Sequence, residues 1–245
     1  MRPFPNPRPD FPRKTLVSVL ICLLAATLCA LSCIAVSATP KASVGNTRTI
    51  VIDAGHGGID VGTVGVVTGN KESDLNLIVS RCLEQNLSAI GFATTMTRTD
   101  ENGLYGNESP GFKRRDMLKR AQIIGDAAPS LVISIHMNKY LSPSRRGAQV
   151  YFQKGDETSR VLANVLQSAL NAEINLPEGG RAFEAISGDF YVCKTSPCPA
   201  VIIECGFLSN PIEDRLLATH SYRQRLANVI KNGICEYLAL NAVAP

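Results

Sequence analysis

Three short runs dominated by apolar residues each end on a polar side chain. Residues 50–52 lead through Asp53, Ala54 and Gly55 to His56, residues 131–135 run directly into His136, and residues 200–203 deliver Glu204. Runs of this length and composition read as buried strands. An apolar strand is a costly place to finish with a carboxylate that has no partner. Parallel strands put their carboxyl ends on one edge, where open α/β sheets bind ligands, so the three side chains can converge there. The first run sits in TIVIDAGHGG, residues 49–58, where glycines let the backbone turn sharply and leave the imidazole pointing out of the strand.

Between these runs the apolar spacing becomes helical. Leu75, Ile78, Val79, Cys82, Leu83 and Leu87 fall on one face, which predicts a helix from about Ser73, capped by Ser73 or a neighbour, with Glu72 at its start. Residues 92–97 read as a second strand, residues 113–126 as a basic helix and residues 148–152 as a further strand. Residues 158–174 read as one amphipathic helix and residues 190–193 as a brief strand. A short helix opens at Asn210-Pro211, and residues 222–238 form the last helix. Strands alternating with helices predict one α/β domain with a mostly parallel sheet, without repeats.

Residues 1–14 form a basic, proline-rich tail, with Arg2, Arg8, Arg13 and Lys14 against Asp10, and residues 15–38 carry no charge. That run is long enough to span a bilayer, and the basic residues before it predict a cytoplasmic N-terminus with the rest of the chain outside. A retained membrane anchor and a signal peptide cut after the small residues around Ala38 both fit, and either exports the domain. Residues 39–48 read as a linker. Cys22, Cys29 and Cys33 lie in the apolar run. Cys82, Cys193, Cys198, Cys205 and Cys235 read as free, mostly buried thiols, with a Cys193–Cys198 bridge as the alternative. A net charge of +4 over 245 residues is too small to argue for nucleic acid.

Two histidines and a carboxylate make the ligand set of a catalytic zinc ion whose fourth position is left for water, and a second carboxylate can then carry protons. Glu204 and Glu72, the latter on the loop leaving the first strand, are the carboxylates in reach. Asp53 is expected to hydrogen-bond the free ring nitrogen of His56. His220, between two helices, reads as a surface residue.

Four stretches, VIDAGHGGID, KESDLNL, SIHMN and VIIECGFLSNP, occur in that order. Through them residues 48–240 resemble the zinc-dependent N-acetylmuramoyl-L-alanine amidases. The resemblance implies His56, Glu72 and His136 as zinc ligands and Glu204 as the catalytic acid/base. Asn138 and Arg181 lie near family motif positions and are expected to bind substrate. The resemblance further implies about six strands with helices on both faces. The implied reaction hydrolyses the amide between the lactyl group of N-acetylmuramic acid and L-alanine in peptidoglycan, a polymer that an exported domain would meet.

Some members of that family carry a long helical insertion, before the last catalytic strand, that blocks the zinc. Residues 175–189 are too short for one, so control is expected from expression, localisation or a protein partner. One exported domain behind a single hydrophobic segment is most similar to the germination-specific, spore-cortex amidases, which take part in forming muramic lactam. The alternatives are another zinc peptidase of the wall, or a non-catalytic peptidoglycan-binding module on the same fold. The presence of every implied ligand and of Glu204 disfavours the module.

Overall fold

The structure, a computed structural model, describes residues 49–242; the tail, hydrophobic segment and linker expected over residues 1–48 lie outside them. The strands are β1 (Thr49–Ala54), β2 (Ala93–Met96), β3 (Leu131–Asn138), β4 (Gln149–Gln153), β5 (Ile186–Gly188) and β6 (Ala200–Phe207). They form one sheet in the order β2-β1-β3-β6-β4-β5. β2, β1, β3 and β6 run parallel, β4 runs antiparallel to β6, and β5 lies parallel to β4. The mixed edge keeps the sheet mostly parallel, as expected.

Alternate strand residues point to opposite faces, and both faces are covered. On one, Ile50, Ile52, Ile133 and Ile135 pack against α1 (Glu72–Ser88), α3 (Glu157–Leu170) and α6 (His220–Ala242) through residues such as Leu83, Leu166 and Ile230. On the other, Val51, Val132 and Ala200 pack against α2 (Phe112–Asp126) and α4 (Tyr191–Thr195) through Ile124, Val192 and Cys193. A short helix, α5 (Pro211–Leu217), follows β6; Asn210 caps it by accepting from the amides of Ile212 and Glu213. Among the described residues no helix is long and apolar enough to cross a membrane, and Cys82, Cys193, Cys198, Cys205 and Cys235 are free thiols.

Three local expectations need correction. α1 begins one residue before Ser73 and has no side-chain cap. The amides of Glu72 and Ser73 are instead taken by the carbonyls of Thr63 (2.8 Å) and Val61 (3.1 Å) in the preceding loop. Residues 190–193 are not a strand: Tyr191–Thr195 coils into α4, which sets Val192 and Cys193 against the sheet. The helix expected over 158–174 ends at Leu170 and widens into a π-turn over Asn171–Asn175. There the Asn175 side chain accepts from the Ala148 amide (2.6 Å) and donates to its carbonyl (3.0 Å), bracing the entry to β4.

Candidate active site

β1 and β3 lie side by side with Ala54 opposite Ile135, so whatever follows their carboxyl ends shares one rim. The chain leaves β1 through Gly55 and turns at His56, whose φ of +60° is left-handed, a conformation uncommon for a residue with a Cβ. Two buried arginines hold the turn. Arg98 donates to the carbonyls of Ala54 (2.9 Å), Gly55 (3.0 Å) and Ser73 (2.7 Å). Arg120, from α2, donates to the carbonyls of Ala54 (2.8 Å) and His56 (2.6 Å) and pairs with Asp53 and Asp116, both at 2.6 Å. Gly55 serves close approach: a Cβ there would lie 2.2 Å from Cε1 and Nε2 of His136.

Glu72 enters as the first residue of α1, beneath the same rim. Its Oε2 accepts from the Thr63 amide (2.8 Å) and its Oε1 from the Met137 amide (3.2 Å). Oε1 also lies 3.1 Å from Nε2 of His56 and 3.0 Å from Nδ1 of His136. The two imidazoles stand edge to face, with centroids 5.0 Å apart. One donor atom from each of the three residues lies within 4.8 Å of the other two. Two bonds of about 2.1 Å at the tetrahedral angle would separate donors by roughly 3.4 Å, so this set fits a zinc-sized ion. Burial pushes the Glu72 carboxyl up, but the His136 and His56 imidazoles override it and hold it well below the usual carboxylate range. Burial pulls His56 down, and its contacts with Glu72 and Asp60 raise it on balance.

Glu204 is the Cα partner of His136 on the neighbouring strand, so their side chains leave the same face of the sheet. Its Oε2 is buried and has no hydrogen-bond partner. Burial and the Glu72 charge push its carboxyl up to about 7, against the pull of His136 and His56. The rim beyond it is braced: Glu213 accepts from the amides of Phe207 and Gly147, both at 2.9 Å. Asp214 accepts from those of Val67 (2.6 Å) and Thr68 (2.9 Å), fixing the loop between β1 and α1. A cleft of about 360 Å³ opens beside His56 and His136, walled by Lys113, Met117, Phe190 and Tyr191 among others.

The structure therefore brings His56, Glu72, His136 and Glu204 to one place. It does not bring Asp53 to the His56 ring. Asp53 is buried in the core, where its carboxylate accepts from Arg120 (2.6 Å), Ser134 (2.6 Å) and Thr97 (2.7 Å). Nδ1 of His56 instead lies 3.0 Å from Oδ2 of Asp60, and Asp60 lies 3.4 Å from Nζ of Lys113. The sequence reading missed Asp60, although it stands four residues after His56 in the same motif. Asn138 ends β3 two residues beyond His136, and its side chain accepts from the Lys139 amide (2.7 Å) and lies close enough to Tyr151 to lower its hydroxyl. Arg181 is exposed and stacks on Phe183, 5.0 Å from the ring centroid. His220, at the start of α6, is exposed.

Residues 50–236 match the family profile Amidase_3, described as N-acetylmuramoyl-L-alanine amidase. A germination-specific N-acetylmuramoyl-L-alanine amidase of Bacillus subtilis is 34% identical over 194 residues, covering 78% of this chain and 79% of that protein. The CwlD amidase of Clostridioides difficile, solved in complex with the GerS lipoprotein, superposes with a TM-score of 0.75 at 31% identity, covering 79% of this chain and 99% of that one. An N-acetylmuramoyl-L-alanine amidase of Clostridium difficile 630 superposes with a TM-score of 0.70 at 28% identity over 80% of this chain and 98% of that one.

Proposed function

The chain belongs to the N-acetylmuramoyl-L-alanine amidases, enzymes that act on peptidoglycan, and on that premise we propose a zinc-dependent hydrolase cutting the amide between the lactyl group of N-acetylmuramic acid and the L-alanine of the stem peptide. The observation that carries the metal is the convergence of two imidazole nitrogens on a single carboxylate oxygen, at 3.0 and 3.1 Å. The proposed ligands are His56 through Nε2, His136 through Nδ1 and Glu72 through Oε1. Bound there, zinc would acidify a water molecule and polarise the amide carbonyl.

Glu204 is the proposed acid/base. It takes a proton from water as the water oxygen attacks the carbonyl carbon, and returns it to the alanine nitrogen as the C–N bond breaks. A carboxyl held at about 7 can accept and give a proton near neutrality. Asp60 orients the His56 ring through Nδ1, and Asn138 and Arg181 are the proposed substrate contacts.

The wider setting belongs to the same proposal. Residues 1–14 are the cytoplasmic tail, residues 15–38 the exporting segment, cleaved or retained as a membrane anchor, residues 39–48 the linker and residues 49–240 the catalytic domain. A place in spore-cortex maturation is supported by the likeness to a germination-specific amidase. A regulatory protein partner is supported by the relative solved with a lipoprotein.

The test is muropeptide mass analysis of a wall digest, with metal analysis of the protein before and after chelation. The expected result is one zinc per chain, loss of activity on chelation, and release of peptides that begin with a free L-alanine amine. Cleavage within the stem peptide would point to a peptidase instead, and full activity after complete metal removal would overturn the zinc site.

A further inference from the structure

Beyond Asn138 the rim carries a second cluster, of which the proposed reaction so far involves only Arg181. A hollow of about 450 Å³ is lined by Arg145, Arg146, Arg181, Ser142, Ser144 and Phe183 among others, with no carboxylate in its walls. Arg146 is partly occupied, donating to the carbonyl of Glu178. Arg145 and Arg181 are not. The Arg145 guanidinium lies among the rings of Phe183 (5.3 Å), Tyr140 (5.4 Å) and Phe207 (5.6 Å). Its Nε is buried and without a hydrogen-bond partner. Arg181 stacks on Phe183 as well, so two guanidiniums share one aromatic ring. Two guanidiniums gathered on one ring, with no carboxylate in the walls, repel each other in the free protein, and an anion placed between them would offset both charges.

The hollow adjoins the reacting groups. Phe207, in contact with Arg145, is the ladder partner of Asn138 and lies three residues beyond Glu204 on β6. A bulge in β6 sets these three residues against only two of β3, His136 to Asn138, an advance of about 7 Å. Tyr151 lies near both regions: burial and the Glu204 charge raise its hydroxyl, and the Asn138 side chain and the Arg145 charge lower it. A peptide advances at most about 3.6 Å per residue, so a group near the hollow lies two or three residues along from an amide held at Glu204.

The geometry points to a carboxylate subsite, in which Arg145 and Arg181 bind an acidic side group of the stem peptide at its second or third residue. This rests on the amidase reading above and makes the enzyme selective for stems whose carboxyl groups are free over stems in which they are amidated. The aromatic rings fix the guanidinium planes, so Arg145 offers a preset donor edge.

The experiment compares soluble muropeptides that differ only in a free or amidated carboxyl, at the second residue in one pair and at the third in another, with release of the L-alanine amine as the readout. The wild-type chain is expected to favour the free acid in one pair by about tenfold in kcat/KM, chiefly through KM. The ratio is expected to fall towards one in Arg181→Gln and in Arg145→Gln, and to be partly restored in Arg181→Lys. Because Arg181 is exposed, its variant tests the subsite without disturbing the core. Equal rates within both wild-type pairs, or a preference that survives both Gln variants, would overturn the subsite and leave the amidase reading standing. Release of no L-alanine amine from any of the substrates would overturn both.

Discussion

Nδ1 of His56 lies 3.0 Å from Oδ2 of Asp60, while Nε2 of the same ring faces Glu72 at 3.1 Å. A carboxylate on one imidazole nitrogen fixes the ring and its tautomer and leaves the other nitrogen free for a metal. Asp60→Asn is expected to lower zinc affinity about 10- to 100-fold, measured by competition with a chromophoric chelator. The unfolding free energy of the metal-free protein should move by no more than about 0.5 kcal/mol, as for other partly exposed positions. Unchanged affinity would remove Asp60 from its positioning role.

Gly55→Ala tests how closely β1 and β3 approach at the rim. The added methyl carbon would meet the His136 ring at 2.2 Å, so the ring must shift from the position that sets its Nδ1 3.0 Å from Glu72. The expected outcome is loss of stoichiometric zinc binding by equilibrium dialysis, with the circular dichroism of the folded sheet and helices retained.

Glu204→Gln separates chemistry from metal binding. Turnover should fall by at least about 100-fold, since the amide cannot accept the proton of the attacking water, while zinc stoichiometry stays at the wild-type value. The melting temperature of the metal-free variant should not drop, because the buried Oε2 of Glu204 has no partner to lose. A fully active variant would eliminate the proposed acid/base.

Arg120→Met tests the brace under the turn. It would leave the Asp53 carboxylate buried without its cation, and breaking such a pair by removing one partner costs about 3–5 kcal/mol. Urea denaturation at neutral pH measures the loss.

The same pair sets a response to acid. Burial pushes the Asp53 carboxyl up, but the Arg120 charge and the Ser134 and Thr97 hydrogen bonds override it and bring it down to about 2 from 3.8. A carboxyl lowered on folding adds stability that is fully present above its unfolded value and is lost as pH falls through its folded value. The contribution is of order 2 kcal/mol. It should disappear between about pH 4 and pH 2, and the fall should be shallower in Asp53→Asn, followed by denaturant titration across that window.

The rim on which His56, His136 and Glu204 meet was legible because three apolar strands ended on side chains that strands rarely end on. Glu72 was only one of two carboxylates in reach until the motif resemblance distinguished them; its position depends on loop amides, those of Glu72 and Ser73 bonded to Thr63 and Val61, which no spacing encodes. The Asp53 expectation failed because that residue, nearest the strand end, faces inward to Arg120, Ser134 and Thr97. Which acid meets the His56 ring depends on a left-handed turn fixed by arginines distant in the chain. Residues 190–193 misled because Tyr, Val and Cys suit a strand locally, whereas packing on the Val51 and Val132 face coils them into a helix.

His136 and Glu204 are partners across one rung of a parallel ladder, so the interval between a proposed metal ligand and the proposed proton carrier is set by the spacing of neighbouring strands, about 4.8 Å. No loop contributes to that interval. Segments that hold neither His56 nor Glu72 in place are thus free to diverge in length, charge and shape while that interval is kept. Outlying loops can be exchanged without changing how far the proposed proton carrier stands from that ligand.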